Sequence, residues 1–103
     1  MFWAYDEVAP HWDRLILRSH VIEGGTRALY QEGTVTAMMD PQALIGRHAA
    51  DGHLPEGTLM FCGTLAARGG VRPTSAFAFE LDDPVLGRKI AHSYRVRTLP
   101  ILG

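Results

Sequence analysis

The run Leu54-Pro55-Glu56-Gly57-Thr58-Leu59-Met60-Phe61-Cys62-Gly63-Thr64-Leu65 decides how this chain is read. Its first residues are turn chemistry, Pro and an acid followed by Gly57. The apolar piece from Leu59 to Cys62 is too short for a helix and predicts a buried strand that stops at Gly63-Thr64. Gly63 has no side chain to hold a ligand away, and Thr64 offers an N–H and a hydroxyl to an anionic or carbonyl oxygen. Strands also end in Gly-Thr for ordinary turn reasons, so the pair acquires meaning only from its surroundings.

Upstream, Leu15 to Ile22 and Arg27 to Glu32 are β-branched and apolar enough for two strands. The Glu23-Gly24-Gly25-Thr26 turn between them predicts a hairpin, because paired glycines supply the positive backbone angles of a tight reversal. Gln31 then ends the returning strand as an exposed strand residue. Asp40-Pro41 is a helix start, an N-cap acid followed by proline at the first position. The helix is expected from Pro41 to about Ala50, with Ala43, Leu44 and Ile45 inward and His48 and His53 near its C-terminal end. At the N-terminus, Trp3, Tyr5, Val8 and Trp12 surround Pro10 and read as helical turns with an aromatic side. That side packs either on the domain's own sheet or on a partner.

Downstream, Ala66 to Ser75 is a loop in which Gly69-Gly70 separates Arg68 from Arg72, two charges placed either to clamp a carboxylate or simply to be solvated. Ala76 to Leu81 alternates as a strand, Asp82-Asp83-Pro84 turns, and Lys89 to Val96 alternates again. Residues 1–103 are therefore expected to form one β-rich α+β domain with one clear short helix.

At 103 residues, 47% hydrophobic and 20% charged, the chain has the composition of a globular domain with a modest core. A net charge of −1, with arginines scattered among acids, gives no electrostatic case for nucleic acid. Cys62 is the only cysteine, which excludes a disulfide framework and fits an inert core thiol better than a nucleophile. No apolar run approaches the roughly 20 residues of a membrane span, and the acidic start Asp6-Glu7 is unlike a signal peptide, so the expected location is the cytoplasm without a membrane partner. The five histidines lack the His-x-His spacing of a cupin-like metal site.

The order Gly57, Gly63-Thr64, Gly69-Gly70, Phe79-Glu80-Leu81, preceded by Tyr30-Gln31-Glu32-Gly33-Thr34 and Met38, resembles the C-terminal half of the fumarylacetoacetate hydrolase superfamily. The longer stretch from Trp12-Asp13-Arg14 through Asp83-Pro84-Val85-Leu86-Gly87-Arg88 to Tyr94 is similar to a bacterial branch of that superfamily known only as a domain of unknown function. The resemblance implies part of a mixed β roll and, for the complete protein, a metal-dependent hydrolase of a small oxo-carboxylic acid that acts on carbon–carbon bonds. It implies substrate contacts from Gln31, Gly63 and Thr64 and an acid–base role for Glu80, which otherwise reads as a solvent-facing strand acid. A divalent metal, Mg, Mn or Ca, is implied for the complete protein. The family's Glu-x-Glu ligands precede the matched region and this chain has no Glu-x-Glu, so no complete metal site is expected on it. A partner is implied, either a second copy or an upstream half of the same fold. The rival reading is a noncatalytic β-rich assembly or binding subunit.

Overall fold

A computed structural model describes residues 2–49 and 51–102. Its frame is a four-stranded sheet in the order β2-β1-β3-β4, built from β1 (Ile16–Glu23), β2 (Thr26–Thr34), β3 (Ala76–Asp83) and β4 (Arg88–Arg95). All three pairings are antiparallel. The β-rich α+β expectation holds at this level. Gly24 and Gly25, with φ of 56° and 80°, make the β1–β2 turn that the sequence predicts. The second hairpin differs in detail, because β3 continues through Asp82 and Asp83 and the chain reverses only at Pro84.

Two short helices accompany the sheet. α1 (Tyr5–Val8) runs into a 3-10 segment (Ala9–Arg14), and α2 (Pro41–His48) starts where Asp40 accepts a hydrogen bond from the Ala43 N–H at 3.0 Å. The predicted inward face of α2 is not buried. Ala43 is exposed, while Leu44 and Ile45 are only half-buried. The helix ends at His48, and its expected limit at Ala50 falls outside the described residues.

The expected central strand from Leu59 to Cys62 is absent, and this is the main correction to the sequence reading. Residues 53–75 contain no strand, Leu59 is 81% exposed and Phe61 is 84% exposed. A strand needs a ladder as well as an apolar pattern. At the β2 edge, the Arg68 N–H donates to the Tyr30 carbonyl at 2.7 Å, so the following loop already occupies part of that edge.

The core gathers under the N-terminal segment. Val8, Leu15 and Val35 are buried, with Trp3, Trp12, Leu17, Met38 and Leu81 packed around them. The tryptophans therefore cover the domain's own sheet. Asp83, wholly buried at the end of β3, fastens this cover. Its carboxylate accepts from His11 Nε2 at 3.0 Å, from the Val85 and Leu86 N–H groups at 3.1 and 3.2 Å, and from Arg88 Nε at 3.3 Å. Arg88 also pairs with Glu7 and lies 4.5 Å from the centre of the Trp3 ring.

Desolvation pushes the Asp83 carboxyl up, but the bonds from His11, Leu86 and Arg88 outweigh it and hold the group below its ordinary range. A depressed folded value contributes stability that is present above the unfolded carboxylate pKa of about 4 and is lost as pH falls through the folded one. Asp83→Asn is expected to lower the thermal midpoint by several degrees at neutral pH. It should also flatten the loss of stability between neutral and acid pH, and thermal melts across that range check both effects.

Candidate functional site

The register divides the sheet into two unlike faces. Leu17, Ser19 and Val21 of β1 share one face with Phe77, Phe79 and Leu81 of β3, since they pair directly. On the other face Arg18 stands opposite both Glu32 of β2 and Glu80 of β3. A bulge then interrupts the β1–β2 ladder: Ser19 pairs with Gln31 and His20 with Leu29, leaving Tyr30 without a partner. The extra residue turns Tyr30 and Gln31 toward the same, apolar side.

This bulge is where the 64–72 loop is fastened. Gln31 Nε2 donates to the Leu65 carbonyl at 2.7 Å and to Thr64 Oγ1 at 3.0 Å, while its Oε1 accepts from the buried Ser19 hydroxyl at 2.7 Å. The Tyr30 hydroxyl accepts from the Arg72 N–H at 3.3 Å. Leu65, buried, sits against Gly33, where a Cβ would meet its methyl groups at 3.4 and 3.5 Å.

Two of the sequence-predicted site residues, Gln31 and Thr64, thus meet directly. Both amide protons of Gln31 are spent on the loop, and Gly63 and Thr64 are exposed. Gly63 takes φ 111°, which a residue with a side chain rarely adopts. Two hollows along the sheet are bordered by none of these three residues.

Glu80 lies on the opposite face. It is held by Lys89 at 2.8 Å and approaches Arg18 at 3.9 Å, so the sheet itself separates it from Gln31 and Thr64. Arg18 stands among Glu80, Asp82 at 3.0 Å and Glu32 at 2.6 Å. The bond from Arg18 is the largest influence holding the Glu32 carboxyl below its usual range, and those to Glu32 and then Asp82 raise the guanidinium further. A cation among three carboxylates is what a divalent metal would need to be, and here a guanidinium occupies that position. Among the described residues no three His, Cys, Asp or Glu side chains are placed to hold a metal ion. The carboxylates of this cluster, already held by Arg18, do not fit the implied metal.

The loop arginines pair with acids of the first hairpin. Arg72 pairs with Glu23 and donates to the Gly70 carbonyl at 3.1 Å, and Arg68 reaches Glu32 at 3.5 Å. Sequence reasoning missed Ser19 and Tyr30. Ser19 had a signal, being a polar residue between Leu17 and Val21 on an inward-alternating row. Tyr30 had none, because a bulge leaves no mark in an apolar strand.

With the geometry in place, comparison with known families matches residues 1–94 to the model described as Protein of unknown function (DUF2848). The chain belongs to the DUF2848 family. No curated protein and no solved structure matches it. The resemblance to the fumarylacetoacetate hydrolase superfamily is corrected accordingly, since the family shown is one of unknown function and no match to that superfamily accompanies it. Of the short groups that carried the resemblance, Gly57 and Gly69 stand in turns and Gly33-Thr34 in β2, and such small-residue groups recur for local backbone reasons in unrelated chains. Among the described residues no helix is long and apolar enough to cross a membrane.

If Gln31 latches the loop, Gln31→Ala should raise amide hydrogen exchange of Arg68 by at least about tenfold, the equivalent of about 1.4 kcal/mol. Amides at the centre of β1 should keep their protection.

Proposed function

We propose that this chain is a β-rich assembly subunit without a complete active site of its own, and that the stretch around Leu59–Cys62 docks against a second copy. One observation carries the reading: an apolar run with the pattern of a buried strand has no strand partner among the described residues and leaves Leu59 and Phe61 in solvent. Leu59 and Phe61 are joined in their exposure by Met39, whose N–H is bonded to the Cys62 carbonyl at 3.0 Å. The radius of gyration, 16.2 Å, exceeds the roughly 13 Å of a compact chain this long, in keeping with a surface folded to meet something else.

The occupant follows from charge. From Gly57 to Ala67 the chain carries no charged side chain, so two copies brought together about a two-fold axis meet no like-charge repulsion there. Antiparallel addition of one such strand to another satisfies the backbone groups that the monomer leaves to water. In sedimentation across a concentration series, the chain is expected to dimerise, and Phe61→Asp should weaken the dimer at least tenfold without lowering the thermal midpoint. A chain that stays monomeric at the highest concentrations, or a dimer indifferent to this substitution, overturns the reading.

A further inference from the structure

A different feature, on the charged face of the sheet, points to a small-molecule site that the assembly reading does not include. Arg27 of β2 pairs with Ile22 of β1, and Ala76 of β3 pairs with Arg95 of β4. Val21 pairs with Phe77, so continuing that register sets Ile22 beside Ala76. Arg27, Ile22, Ala76 and Arg95 therefore form one row straight across the sheet, their side chains on one face. The outer two are separated by three strand spacings, about 14 Å.

Between them lies a trough of about 540 Å³, within the size range of small-ligand sites. Its floor is low because the next row inward contributes Ala78 and Ser93, a directly paired couple with little side chain to fill the space. Arg27 also borders a second hollow of about 200 Å³ together with Ala78 and Ala91, so its side chain lies along this floor toward β4. His20, on the same face, accepts from Arg27 Nη2 at 3.3 Å through Nδ1 and helps to aim it. Neither Arg27 nor Arg95 has an acidic partner among the described residues, whereas Arg18, Arg68, Arg72 and Arg88 each have one.

We propose that this trough binds a short aliphatic dicarboxylate, with one carboxylate on Arg27, the other on Arg95, and the carbon chain over Ala76 and Ala78. Guanidinium groups take carboxylates through paired N–H donors, and a mostly apolar floor between two cations selects a ligand whose charges are separated by a hydrocarbon spacer. A compact anion such as inorganic phosphate places all its charge at one point and engages one arginine at a time. Both cations are exposed, so affinity depends on using the two together.

Calorimetry on the full chain tests this with succinate, glutarate, butyrate and inorganic phosphate. Succinate or glutarate should bind saturably, with butyrate and phosphate at least tenfold weaker. Arg27→Ala and Arg95→Ala should each weaken the diacid at least tenfold at an unchanged thermal midpoint. Phe61→Asp should bind it as the unaltered chain does, which separates this site from self-association. The proposal is overturned by absence of saturable diacid binding at millimolar concentration, by equal binding of butyrate, by tighter binding of phosphate, or by affinity that survives both arginine substitutions.

Discussion

A single antiparallel sheet has two faces to protect, and among the described residues there is no second regular layer to put on either. α2 buries none of its residues. That constraint accounts for the rest of the arrangement. One face is protected by ion pairs around Arg18 and Glu80, and the other by an N-terminal aromatic segment and an irregular loop, each fastened at a few polar points. Asp83 is the fastening for the first cover and Gln31 for the second. Both are buried or half-buried polar groups that have found every partner they need, as burial requires.

Hairpins were the most legible part of the fold. Gly24-Gly25 marks one reversal and Asp82-Asp83-Pro84 the other, two residues early, and the alternation of Phe77, Phe79 and Leu81 against Ala78 and Glu80 places both faces of β3 correctly. The same alternation foretold that Glu80 points away from its aromatic neighbours. What it could not show is that Gln31 points with them, because that depends on the unpaired Tyr30. The Leu59–Cys62 run misled for a related reason. Local pattern reports what a segment is able to form, and whether it forms depends on an available edge elsewhere in the chain.

Electrostatics on the polar face is local and balanced. The carboxylates Glu32, Glu80 and Asp82 share Arg18 and Lys89, so the face has no free negative site despite its acids. The same balance leaves Arg27 and Arg95 as the charged pair that the acids do not reach, at the end of the sheet where β3 is small and neutral. The division of one strand into an acidic half, Glu80 to Asp83, and an alanine half, Ala76 to Ala78, thus separates a structural region from an open one.

The unpaired Tyr30 also makes β2 tolerant of losing one residue at that point. Losing Tyr30 would restore an even count against β1 with Leu29 still opposite His20 and Gln31 still opposite Ser19, so no residue on either side of the deletion would change faces. Gln31 would keep its amide toward the loop, while the hydroxyl that accepts from the Arg72 N–H would be gone. Shortening the segment by one thus removes a contact and keeps the frame, whereas flattening the bulge at full length would reassign the inside and outside of the sheet edge.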